Sequence, residues 1–446
     1  MIIDTKYGKI QGLDKEGYSC FLGVPYAKPP VGDLRWKAPV EPEHYSGVRK
    51  ATAFGNRCMQ EIIEDDLYTK EFYSNNEYNC TMSEDCLYLN IWTPLTAKDE
   101  RDLPGSAENK RYPVAFWIHG GAFMGGYASE MEFDGEAYCK RGVVLVSVEY
   151  RCNVFGFWAH PWLTEENEKK ISGNYGILDQ IAALRWVHDN IAAFGGDADN
   201  ITIFGQSAGA MSVQTLLSSE LANGLYSKAI MQSGGSYKYG LHRDITLGEQ
   251  EKIGRMLPEV LGAAGLEEMR SLDAKTIIRK MGAFIGKGIA SFDGLFLIPT
   301  IDGYVLKDGY YKLMDEGKMP DVPCLIGSNA DDILQDEDKS GIAKKQPLHK
   351  GSVAYSLKLE ETGNQPAYVY FFNRKLPGDD HGAFHSAELW YMFGTLGRCW
   401  RPMDKHDYEL SDEMMDAWTT FMKQGQFGDD EWKRCIKSEP YYRVFE

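Results

Sequence analysis

Apolar residues along this chain gather in short unbroken runs instead of alternating with polar ones. Six runs stand out: 113–119 (PVAFWIH), 143–150 (VVLVSVEY), 201–205 (ITIFG), 228–233 (KAIMQS), 322–327 (VPCLIG) and 367–372 (AYVYFF). Continuous runs of this length are expected of strands buried on both faces, as in a parallel sheet. Between some of them the period changes. Residues 177–194 place apolar side chains at three- and four-residue intervals and stop before Gly195 and Gly196, which predicts a helix ending there. Residues 208–219 predict another. Strands alternating with helices predict an α/β fold with a mostly parallel central sheet flanked by helices. Residues 236–300 are richer in helical pattern and glycine, and read as a lid or cap region. The polar stretches 76–85 and 96–111 read as exposed loops. No internal repeat breaks the chain, and 446 residues fit a single large α/β unit over 1–446.

Composition narrows the function classes. A net charge of −17 opposes binding to nucleic acid or to anionic membrane surfaces. No apolar stretch is long enough to span a bilayer, and the opening MIIDTKYGKI lacks the apolar core of a signal peptide. The expected location is therefore cytoplasmic, or outside the cell as a mature form without its leader. Nine cysteines at irregular spacing, with no C-x-x-C, predict reduced thiols and no zinc site. Asn79-Cys80-Thr81 and Asn200-Ile201-Thr202 match the glycosylation pattern, and without secretion are chance matches. The aromatic share of 13% predicts a large core and an aromatic-lined pocket.

The chemistry concentrates at Gly205-Gln206-Ser207-Ala208-Gly209, a G-x-S-x-G between a predicted strand and a predicted helix. The five-residue pattern alone is weak. Its setting makes it specific, because a serine on such a corner has strained backbone, and only glycine two residues either side avoids collision with the neighbouring strand and helix. A nucleophilic serine also needs a base, a group to orient the base, and donors for an oxyanion. The paired glycines of 117–126 (WIHGGAFMGG) can supply the N–H groups of Gly120 and Gly121, joined by that of Ala208. In this arrangement the order is serine, then acid, then histidine. His242, His349, His381, His385 and His406 all lie beyond the serine, and order alone does not choose among them.

These residues resemble the type-B carboxylesterases of the α/β-hydrolase superfamily, a family that includes cholinesterases and many bacterial esterases. FLGVPYAKPPVGDLRWKAP (21–39) and EDCLYLNIWTP (84–94) are similar to its two signatures. HGGAF, residues 173–210 and MQSGG (231–235) follow in the family's order, so the resemblance covers nearly the whole chain. It implies Ser207 as nucleophile and Gly120, Gly121 and Ala208 as oxyanion hole. GSNADDIL (327–334) resembles the acid segment, with Asp332 where the family usually has Glu, and Asp331 as the other choice. GAFHSAELWYMFG (382–394) resembles the base segment and selects His385, while Ser233 matches a serine that supports the acid. Gln206 stands where many members have Glu, and the short spacing from Asp332 to His385 implies a trimmed cap. Cys58 and Cys86 match a pair bridged in secreted members, and the sequence leaves their state open here.

The implied function is a serine carboxylesterase that acts on small-molecule esters through a Ser-His-Asp triad and an acyl-enzyme, with no cofactor and no metal, as a monomer or small homo-oligomer. A carbohydrate-acyl (feruloyl, cinnamoyl or acetyl) esterase is the second reading. A non-catalytic cholinesterase-like binding protein is a third, opposed by the presence of both Ser207 and His385. Phe123, Trp390, Tyr391 and Phe393 lie near the oxyanion loop and the histidine in sequence, and are expected to border the pocket.

Overall fold

In the computed structural model of the chain, all residues are described except 63–65, 97–110, 293, 334–345 and 429–430. A ten-stranded sheet forms the centre of the molecule. Across it run Arg443–Phe445, Tyr368–Phe372, Cys324–Asn329, Lys228–Gln232, Gly196–Gln206, Tyr112–Ile118, Val144–Val148, Tyr88–Thr93, Tyr18–Pro25 and Leu13–Lys15. Every pairing from the first strand to Val144–Val148 is parallel, and the last three pairings are antiparallel. A separate three-stranded sheet, Ile2–Thr5, Gly8–Gln11 and Val48–Lys50, packs at the amino-terminal side.

Each of the six apolar runs supplies a strand of the parallel part. Their side chains are buried throughout Val144–Val148 and Lys228–Gln232, which is why no polar alternation marked them. The two helices expected from periodicity form at Tyr175–Asn190 and Ala208–Ser218. Helices cover both faces of the sheet, and two apolar clusters, one on each side, share its strands.

The segment 236–300 forms a series of short helices, Leu247–Gly254, Met256–Leu261, Leu266–Ser271, Ala274–Arg279 and Met281–Ser291. The first opens on a capping box, in which Thr246 and Glu249 each satisfy the other's backbone N–H. Residues 76–85 form no helix or strand, as expected of a loop. The other expected loop, 96–111, falls almost wholly outside the described residues. All nine cysteines are thiols, so Cys58 and Cys86 are not bridged. No described helix is long and apolar enough to cross a membrane.

Candidate active site

The corner at Ser207 is built by close contact. The strand Gly196–Gln206 ends, Ser207 takes φ 56° and ψ −124°, and the helix Ala208–Ser218 begins at once. A non-glycine residue held there stores roughly 1–3 kcal/mol of backbone strain. The serine N–H donates to Gln232 O at 2.8 Å, which ties the corner to the neighbouring strand. A Cβ on Gly209 would lie 2.0 Å from Ile118 O, and one on Gly205 would lie 2.5 Å from the Gly209 carbonyl carbon. Both glycines are therefore required by the approach of strand and helix. Gly209→Ala is expected to destabilise the fold by about 3 kcal/mol or more, read as a lowered urea midpoint, because the obstacle is backbone that cannot rotate away.

The loop after Tyr112–Ile118 comes up beside this serine. A Cβ on Gly120 would meet Gln206 O at 2.9 Å and Ser207 Cβ at 3.2 Å. Gly121 (φ 101°), Ala122 (φ 55°) and Phe123 (φ 59°) then turn through left-handed backbone. The amides of Gly120, Gly121 and Ala122 have no acceptor among the described residues. Asn153, itself at φ 45°, clamps this turn. Its N–H donates to Phe123 O at 2.6 Å, and its side-chain amide donates to Met59 O at 2.7 Å and Met124 O at 3.2 Å. Ala122 belongs to the HGGAF motif, whereas Asn153 belongs to none of the motifs above, and its role is visible only in these contacts.

Two adjacent strands deliver the acid and the histidine. Asp332 follows Cys324–Asn329, and His385 lies on the loop after Tyr368–Phe372. His385 Nδ1 hydrogen-bonds Asp332 Oδ1, and Asp332 also accepts from the N–H groups of Asn329 (3.0 Å) and Ile333 (2.9 Å). Asp331 does a different job. It exchanges backbone and side-chain bonds with Ala383, N–H to O at 3.0 Å and Oδ2 from N–H at 3.0 Å, and so pins the histidine loop. With Nδ1–H facing the carboxylate, Nε2 is the free basic nitrogen. Gln206 donates its side-chain amide to it at 3.2 Å.

Burial alone would lower the pKa of His385, but the charge and hydrogen bond of Asp332, with Glu388 nearby, raise it above the usual 6.5. Glu388 is a buried carboxyl that the sequence reading missed. It accepts from Asn329 Nδ2 at 2.5 Å and Gln232 Nε2 at 3.3 Å, and burial, reinforced by the Asp332 charge, pushes it up to about 7. Ser233, expected to support the acid, has φ 51° and a buried hydroxyl with no partner among the described residues.

Ser207 and His385 open together on one cavity of about 720 Å³. The arrangement is a hydroxyl on a strained corner, an imidazole with an ordered carboxylate behind it, and a cradle of unengaged amides, which suits acyl transfer. The family model for the carboxylesterase family matches residues 1–347 and 344–445 of this chain. The chain belongs to the carboxylesterase family. Para-nitrobenzyl esterase of Bacillus subtilis (strain 168) is 34% identical over 95% of this carboxylesterase and 90% of its own length. A solved structure of a PNB esterase superposes with a TM-score of 0.83 at 30% identity, covering 100% of this chain and 96% of the other. The Geobacillus stearothermophilus carboxylesterase at pH 6.2 does so with a TM-score of 0.80, also at 30% identity and with the same coverage. The fold is the α/β-hydrolase fold, and the protein is a carboxylic ester hydrolase.

The aromatic residues expected at the pocket of this carboxylesterase are elsewhere. Phe123 packs against Phe157, and Trp390 donates to Glu71 at 2.9 Å inside the core. Tyr391 donates to Asp407 at 2.6 Å, and Phe393 packs edge-on against Trp117. All four are fully buried. Proximity in sequence to His385 did not help, because the short helix Leu389–Met392 turns into the core. The cavity wall is aromatic, but through Tyr68, Phe72, Tyr73, Tyr127 and Phe133.

Proposed function

We propose that this esterase works by two-step acyl transfer, with Ser207 as nucleophile, His385 as general base and acid, and Asp332 as the group that orients the histidine. The observation that carries this reading is the Asp332–His385 hydrogen bond, on a histidine that lines the same cavity as Ser207. His385 Nε2 exchanges the Gln206 amide for the Ser207 hydroxyl and takes its proton as the oxygen attacks the ester carbonyl. The negative charge that forms is met by the amides of Gly120, Gly121 and Ala208, with Ala122 as a further donor. One such donor commonly contributes about 3 kcal/mol to the barrier reduction. His385 then protonates the departing alcohol. Water, deprotonated by the same nitrogen, releases the acid and restores the serine.

Asp332 is one carbon shorter than the family's usual glutamate. Its position at the end of the Cys324–Asn329 strand, with the histidine loop pinned by Asp331 and by Asn329 Nδ2 to Phe384 O at 2.7 Å, compensates for the lost reach.

The test is a pH profile of kcat/KM on p-nitrophenyl butyrate. Only neutral imidazole accepts the serine proton, so activity is expected to be low in acid and to rise to a plateau as His385 loses its proton. The midpoint is expected above the unperturbed 6.5, because the carboxylate stabilises the imidazolium. A profile flat across that range, or a midpoint well below it, would remove His385 as the base.

A further inference from the structure

The wall of the 720 Å³ cavity holds a charge that the proposed chemistry does not use. Arg57 lines it. Its backbone is fixed between Thr81 and Ser83 by hydrogen bonds of 3.0 Å each. Its guanidinium lies 4.6 Å from the centroid of the Tyr127 ring, and its Nε is buried with no partner among the described residues. No described carboxylate forms an ion pair with it, in a chain where acidic residues outnumber basic ones 65 to 48.

Several other polar groups at that end of the cavity are engaged with protein partners. Tyr127 Oη donates to Asn79 Oδ1 at 2.6 Å, and Tyr73 Oη donates to Glu130 Oε1 at 3.2 Å. Gln60 is held by Gly126 through both ends of its amide, at 3.0 and 2.9 Å. Among the acids, Asp66 caps the helix Leu67–Phe72 through Thr69 N–H. Glu130 and Glu132 are buried, and burial raises both, Glu130 to about 7 and Glu132 well above the carboxylate range. That pair therefore opposes an incoming anion with less than its two formal charges. Glu132 keeps one buried oxygen without a partner among the described residues, and Glu61 also lines the cavity. The unengaged donor at this end, however, is the guanidinium of Arg57, and a planar guanidinium with no carboxylate partner among the described residues suits an incoming carboxylate.

The chemistry of the leaving group decides which half of an ester meets it. His385 must hand its proton to the leaving oxygen, and His385 lines this cavity. A second cavity of about 810 Å³ also reaches Ser207, is walled by Met211, Leu241, Phe292 and Leu295, and does not include the histidine. The acyl group belongs on that apolar side, and the alcohol on the side of Arg57.

We propose that Arg57 binds a carboxylate carried by the alcohol portion of the substrate, so that the enzyme prefers apolar acyl esters of acidic alcohols. This rests on Ser207 and His385 acting as proposed. The test uses butyrate esters of benzyl alcohol bearing para carboxylate or para carboxamide, and a second pair with one methylene more of reach. The quantity read is the ratio of kcat/KM, charged over neutral, which cancels any loss of folded enzyme. The expected ratio for wild type falls by about tenfold or more in Arg57→Gln, mainly through KM, and is partly kept in Arg57→Lys. It also falls in wild type as salt is raised. An unchanged ratio in both pairs on Arg57→Gln would overturn the proposal, as would faster turnover of the para-trimethylammonium ester than of either carboxylate. If none of these esters, charged or neutral, is hydrolysed, the Ser207–His385 reading fails instead.

Discussion

Replacing Ser207 by alanine is expected to lower kcat on p-nitrophenyl butyrate by roughly a million-fold, because covalent catalysis and its base act as one unit. The fold should survive, since the hydroxyl makes no hydrogen bond among the described residues, and the corner is held by the backbone of Ser207 and Gln232. Ser207→Gly should be equally inactive yet more stable than Ser207→Ala by about 1 kcal/mol, because φ 56° costs glycine little. Activity assays and urea melts of the two variants check both halves. Comparable stabilities would mean that the corner is not strained, and residual turnover within a hundred-fold of wild type would mean that another group attacks the ester.

The second large effect is expected at Asp332. Asp332→Asn should lower kcat by about 10,000-fold, since an amide can turn its N–H toward the ring and hold the wrong tautomer. Asp331→Asn should cost less than about tenfold, because its oxygen can still accept from Ala383 N–H and the loop keeps its place. The contrast is the informative quantity. Equal, small losses would show that neither aspartate orients the histidine. A large loss at Asp331 alone would reverse their assigned roles.

Sequence and structure meet most closely where chemistry and backbone sterics demand one residue type. Gly205 and Gly209 mark the serine corner because nothing larger fits against Ile118 O and the helix start. The buried parallel strands were legible because both faces lie against apolar layers, so their runs are continuous. The resemblance placed Asp332 at the acid position, but with Asp in place of Glu the residues alone left Asp331 as an alternative. The structure separates the two by their partners: Asp332 hydrogen-bonds His385 Nδ1, while Asp331 bonds the histidine loop at Ala383.

The pocket was read least well. Phe393 and Tyr391 sit a few residues from His385, yet the turn between them directs both into the core, while Tyr68 and Phe72 reach the cavity from a helix more than 300 positions away. Glu388 and Arg57 were invisible for a different reason. What distinguishes them is burial and the presence or lack of a partner, and a sequence records neither.

The most direct measurement is peptide mapping by mass spectrometry after treatment with a fluorophosphonate, which reports the activated hydroxyl itself. The expected result is a single phosphonylated residue, Ser207, with the adduct absent in Ser207→Ala and formed far more slowly in His385→Ala. An adduct on any other residue, or labelling of Ser207 at the same rate without the histidine, would contradict the proposed pairing.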